Sequence, residues 1–135
     1  MKKPIIQEHV AGCAVACVAF VLNLSYQKAL PLFTKGKYRT GIRGFYAREV
    51  ATALNRHGKH YSYHYIDKRN LGRIYKEGSI VFIGRNKKYP LGHYLCRKGS
   101  FWMNSWYNFP EIKNVKARFQ KRLPGRPIYV IRPVL

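Results

Sequence analysis

The sequence predicts an α+β domain spanning residues 1–135 as one unit, and three observations carry that prediction. Apolar residues run almost unbroken from Val10 to Leu22, too long for a typical strand and apolar on every face, as a buried helix is. Beyond Gly58 the pattern changes to short segments rich in Tyr, Ile and Val, separated by Gly, Pro and Lys. Helices first and antiparallel strands afterwards describe an α+β arrangement, and a chain of 135 residues buries one core rather than two.

The elements follow in order. An extended segment, 1–12, leads into a helix expected from Cys13 to Leu24. Ser25 is a natural N-cap for a second helix, Tyr26 to Phe33, which Pro31 bends or ends. Lys35 to Gly44 reads as a basic loop. Phe45 to Arg56 is an amphipathic helix offering Phe45, Ala47, Val50, Ala51 and Leu54 to the core, with Gly58 as its C-terminal stop. Five strands are expected: Tyr61–Ile66, Ser79–Gly84, Gly92–Arg97, Phe101–Trp106 and Ile128–Arg132. Lys98-Gly99-Ser100 joins the third and fourth as a hairpin. The run from Lys113 to Arg126 reads as a basic helix followed by a turn.

Charge sets limits on function. Twenty-six Lys and Arg face five acids, a formal +21. Such a surface attracts RNA, DNA, anionic lipid or an acidic protein, such as an inhibitor or immunity partner. The acids (Glu8, Glu49, Asp67, Glu77 and Glu111) are too few and too scattered for a paired-carboxylate hydrolase or a two-metal nuclease. His57, His60 and His64 have no acid or Cys beside them at ligand spacing, so they read as surface or strand residues; neither a metal nor another cofactor is implied. Three cysteines, an odd number, argue against a disulfide framework. The apolar run falls short of the ~20 residues that span a bilayer. Lys2 and Lys3 precede it as in a signal peptide, but Gln7, Glu8 and His9 break that order. The expected location is a reducing cytoplasm, the protein's own or one into which it is delivered.

Chemistry concentrates at four positions. Cys13 opens the buried helix, where the positive end of the dipole favours thiolate, and Gly12 lets the backbone turn and leaves room for a substrate carbonyl. Gln7 stands six residues upstream, close enough for its side-chain amide to join the Cys13 N–H on one oxyanion. His93 begins the strand HYLCR after Pro90-Leu91-Gly92, and the returning strand FWMNSW brings Asn104 beside it, where an amide oxygen fixes the imidazole tautomer. Asn108 is the other residue in reach of that role. Trp102 and Trp106 flank Asn104 and can shield the bond from water, with core packing the simpler role for at least one of them.

Gln7, five residues, then Cys13-Ala14-Val15-Ala16-Cys17 resembles the N-terminal motif of the bacteriocin-processing cysteine peptidase domains of ABC exporters. There a Gln precedes the catalytic Cys by six, and a second Cys follows four later. That family, and papain-like enzymes broadly, complete the site with a strand His and a downstream Asp or Asn. The resemblance implies a papain-like fold, with Cys13 as nucleophile, His93 as base, Asn104 as orienting residue and Gln7 as oxyanion donor. Gly12 stands where the exporter domains usually carry an acid, and Ala14 where they carry Gly. The short interval from His93 to Asn104 looks more like small stand-alone, phage-type members. The function expected is a cysteine-dependent peptidase, amidase or deamidase with a peptide or protein substrate. Two alternatives come from the charge: an RNA-cleaving toxin on the same scaffold, and a non-catalytic basic nucleic-acid-binding protein.

Overall fold

The computed structural model describes residues 2–41 and 44–134. Four helices, α1 (Cys13–Leu22), α2 (Tyr26–Ala29), α3 (Gly36–Arg39) and α4 (Ala47–Arg56), precede six strands: β1 (Tyr61–Tyr65), β2 (Ile80–Ile83), β3 (His93–Lys98), β4 (Phe101–Asn104), β5 (Arg118–Gln120) and β6 (Pro127–Pro133). The strands form one sheet in the order β1-β6-β2-β3-β4-β5, antiparallel at every pairing. The fold is therefore α+β, with the N-terminal helix packed on the sheet.

Helix α1 has no polar face because it needs none: every residue from Ala14 to Phe20 is buried. It ends two residues earlier than expected because Asn23 takes the left-handed conformation (φ 58°), from which its N–H returns to the Ala19 carbonyl. Ser25 caps α2, its hydroxyl accepting from Lys28 N at 3.2 Å. The expected helix to Phe33 narrows to a 3₁₀ turn at Leu30–Leu32 around Pro31, which has no N–H to continue the ladder. Within the expected basic loop, Gly36–Arg39 forms one helical turn; Ile42 and Arg43 of that loop lie outside the described residues. Helix α4 starts at Ala47 rather than Phe45, where the Glu49 carboxylate accepts the Tyr46 N–H at 2.8 Å. Among the described residues no single helix is long and apolar enough to cross a membrane.

The sheet is covered on both faces, so β2 reads as continuous apolar sequence (IVFI) rather than as alternation. On one face α1 and α4 pack with Tyr61, Ile80, Tyr94, Cys96, Met103 and Ile131. On the other, Val81, Ile83, Leu95, Trp102 and Val130 pack under loops that contribute Ile74 and Tyr89.

One expected element is wrong. The basic helix of Lys113–Arg126 is absent, and Arg118–Gln120 instead adds an edge strand to β4, pairing Trp102 with Gln120 and Asn104 with Arg118. The physical reason is visible in the residues: Val115, Ala117 and Phe119 recur every second position, the strand period, and no helical stripe is present. Phe119 turns inward onto Phe20, ring centroids 5.8 Å apart, while β4 gains partners for its otherwise open edge.

Candidate active site

The β3–β4 hairpin sets the first part of the geometry. Lys98 pairs with Phe101 across Gly99-Ser100, with Gly99 at φ 60°, and Cys96 pairs with Met103. One step further along that register stands Asn104, so His93 meets it diagonally, within reach for a long side chain. His93 Nε2 lies 2.7 Å from Asn104 Oδ1, and both residues are buried. Gly92 places His93: its φ is 77°, and a Cβ there would overlap the Phe82 ring and crowd the Ile83 carbonyl.

The Asn104 amide is saturated. Its oxygen also accepts the Trp106 N–H (3.0 Å), and its nitrogen donates to Tyr89 Oη (3.0 Å) and Gln120 Oε1 (2.9 Å). An oxygen with these neighbours is the acceptor, so the imidazole proton sits on Nε2 and Nδ1 keeps its lone pair. Tyr89 stacks on the imidazole, rings 4.2 Å apart and 7° from parallel, and donates its hydroxyl to the Trp106 carbonyl at 2.9 Å. Trp106 and Phe109 complete the apolar sheath. Trp102 does not belong to it: it is a core residue packed against Tyr75 and Arg97. Asn108 is occupied elsewhere, spanning Asn114 and Lys116 in its own loop.

Cys13 is the first residue of α1, as expected, and its sulfur accepts the N–H of Tyr94, the residue after His93, at 3.4 Å. Cys13 and His93 line one cavity of about 290 Å³, together with Gln7, Phe82, Tyr89 and Trp106. Among the described lining residues none is Lys, Arg, Asp or Glu. Gly12 is needed for a reason other than the expected one. Its backbone is right-handed (φ −97°), and a Cβ would overlap the Tyr26 hydroxyl, which is held by His9 Nδ1 at 2.8 Å.

Gln7 reaches the cavity, but its amide is engaged. Oε1 accepts from Ser105 Oγ (2.7 Å), and Nε2 donates to the carbonyls of His9 (2.9 Å) and Val10 (3.2 Å). The residue thus ties the loop before Cys13 to the residue after Asn104. An oxyanion in the cavity would have to draw Nε2 away from the longer of these bonds.

Electrostatics departs from the sequence expectation at Cys13. Burial pushes the thiol up to about 11, outweighing the Tyr94, Ala14 and Cys13 N–H groups aimed at the sulfur. Burial likewise pushes His93 down to about 4, only partly opposed by the bond to Asn104. The resting pair is therefore thiol and neutral imidazole.

Sequence reasoning missed Tyr89, Ser105 and Gln120. Tyr89 was legible only as an aromatic before Pro90-Leu91-Gly92, and Gln120 was hidden by the helical reading of its segment. The structure brings Cys13, His93 and Gln7 to one cavity, and Asn104 reaches it only through its bond to His93; His57, His60 and His64 are not among its lining residues. Among the described residues no group of three or more His, Cys, Asp and Glu is placed to hold a metal ion. Compared with known protein families and with curated proteins, the sequence matches none.

Proposed function

We propose that the chain is a papain-like cysteine hydrolase acting on an amide or peptide carbonyl, with Cys13 as nucleophile, His93 as base and Asn104 as the residue that orients it. The observation that carries this reading is the buried 2.7 Å bond from Asn104 to His93, a residue that lines the same cavity as Cys13. Nδ1 of His93 takes the thiol proton as sulfur attacks the carbonyl carbon, because neither group is charged at rest. The oxyanion is met by the backbone N–H of Cys13 at the start of α1 and by Gln7 Nε2 released from Val10. Asn104 accepts from the imidazolium that results. That imidazolium returns its proton to the leaving amine, and water then hydrolyses the thioester, releasing a carboxylic acid and restoring the thiol.

The cavity's composition favours acyl chemistry over the RNA-cleaving alternative. A phosphodiester in flight gathers negative charge and calls for cations beside it. In a chain of net charge +21, the described lining of this cavity carries none. Val10 and Leu91, both more than half exposed, add apolar surface at the same cavity. The segment bound beside the scissile bond is accordingly neutral and apolar.

A fluorogenic peptide library with apolar residues before the scissile bond tests the proposal. Turnover should vanish in Cys13→Ala and His93→Ala and after iodoacetamide treatment that maps to Cys13. RNA cleavage that survives alkylation, or peptide turnover retained in Cys13→Ala, would overturn it.

A further inference from the structure

At most five of the chain's 26 cations can be neutralised by its own acids, and three ion pairs form among the described residues: Arg39–Glu49, Arg69–Asp67 and Lys98–Glu77. The remaining charge attracts polyanions, and the β1 edge of the sheet carries features that select among them. Strand β1 pairs only with β6, and its side chains alternate between two chemically different faces.

On the helix-side face, Tyr63 and Tyr65 are 50% and 64% exposed and Tyr129 of β6 is 37% exposed. The register places Tyr65 opposite Tyr129, ring centroids 5.7 Å apart, then Phe82 opposite Tyr129 and Tyr94 opposite Phe82. An aromatic row thus runs from the open edge to Phe82 and Tyr94 in the wall of the Cys13 cavity. Tyr65 and Tyr129 pack edge to face on each other, and the outer side of the row stays open to solvent.

On the opposite face of the same strand, His64 lines a cleft of about 370 Å³ with Arg69, Arg73, Arg132 and Asn70. Arg132 is set in it by pairing with Ser62, and its Nε is buried with no hydrogen-bond partner among the described residues. The one acid present, Asp67, spends an oxygen on the N–H groups of Arg69 and Asn70 and lies 3.7 Å from the Arg69 guanidinium. Among the described residues neither Arg73 nor Arg132 has an acid partner, so both are open to an outside anion.

Stacking rings on one face of an edge strand and guanidiniums on its other face supply, along one edge, the two kinds of contact that a single strand wrapped over that edge makes: stacking for bases and charge for phosphates. From this we infer that the β1–β6 edge is a docking surface for single-stranded nucleic acid, with bases on Tyr63, Tyr65 and Tyr129 and phosphates on Arg73 and Arg132. A duplex keeps its base faces stacked on each other and offers the tyrosines nothing, and a sulfated glycan or lipid headgroup has no such face. The surface uses none of the proposed catalytic groups, so it stands or falls apart from the hydrolase reading.

The test is fluorescence anisotropy on the full chain carrying Cys13→Ala, with a labelled 12-residue oligouridine, an RNA duplex of the same length, and heparin. Tyr63→Ala with Tyr65→Ala should weaken oligouridine binding at least about tenfold with the salt slope unchanged, while Tyr63→Phe with Tyr65→Phe binds like the parent. Arg73→Gln with Arg132→Gln should flatten the salt slope by about 1.4, more than Lys113→Gln with Lys116→Gln, which removes equal charge elsewhere. Oligouridine binding indifferent to the tyrosines would overturn the inference, as would duplex or heparin bound as tightly as the single strand. So would a Tyr63→Ala, Tyr65→Ala protein with Cys13 intact that loses peptide turnover but not RNA binding, which reassigns the row to the peptide.

Discussion

Lowering the pH from 7 towards 4 should destabilise this protein first through His93. His93 is buried, and its folded-state value lies at about 4 against an ordinary 6.5. Between those values the unfolded chain takes up the proton and the folded chain does not. Stability is therefore full above about pH 6.5 and falls as the pH drops to about 4, below which this group contributes no further change. A shift of roughly 2.5 units at 1.36 kcal/mol per unit is worth about 3 kcal/mol, a large part of the 5–15 kcal/mol that holds a domain together. Urea unfolding at pH 7, 6, 5 and 4 measures it, with His93→Gln as the reference, since Gln can still donate to Asn104 and does not titrate. The carboxylates of Glu49 and Glu77, held below their ordinary values by Arg39, Lys98 and backbone N–H groups, lose their contribution at lower pH, through and below about 4.5, in both proteins. The difference between the two curves isolates His93. Equal pH dependence would refute the reasoning. An imidazole titrating above 6.5 by NMR would refute it more sharply, because the resting site would then hold a thiolate–imidazolium pair.

Tyr89→Phe keeps the ring on His93 but removes the hydroxyl between Asn104 Nδ2 and the Trp106 carbonyl. It should cost about 1–3 kcal/mol in urea unfolding and, on the hydrolase proposal, lower kcat with little change in KM, because the hydroxyl contacts Asn104 and not the substrate. Iodoacetamide should modify Cys13 first, with Cys17 and Cys96 protected until unfolding, since both are fully buried. With the thiol raised to about 11, that rate should climb steadily from pH 7 to 10, as mass-mapped labelling will show; a plateau near neutrality would mean a stabilised thiolate. Glu49→Gln leaves Arg39, a largely buried guanidinium that also holds the Gly44 carbonyl, without its counter-charge. A loss of about 2 kcal/mol is expected by thermal unfolding, together with weaker peptide binding, because Gly44 and Phe45 form part of the cavity wall.

Some of this architecture was fixed locally and could be read along the chain. The start of α1 at Cys13, its burial, the cap at Ser25, and the hairpin that brings Asn104 to His93 follow from apolar runs, turn residues and strand period, which act over a few residues. The edge strand Arg118–Gln120 was also readable, in the alternation of Val115, Ala117 and Phe119, although the density of Lys and Arg around it equally suits a solvated helix. Other features belong to the tertiary structure alone. Gln120 and Tyr89 reach Asn104 from 16 and 15 residues away, so no local pattern marks them. Gln7 stands at the expected spacing from Cys13, yet only the packed loop shows its amide held by Ser105, His9 and Val10. The protonation of the Cys13–His93 pair is the clearest case. A helix N-terminus, legible in sequence, argues for thiolate. Desolvation depends instead on what surrounds the sulfur and the imidazole from every direction, and at this site it outweighs the pull of the helix.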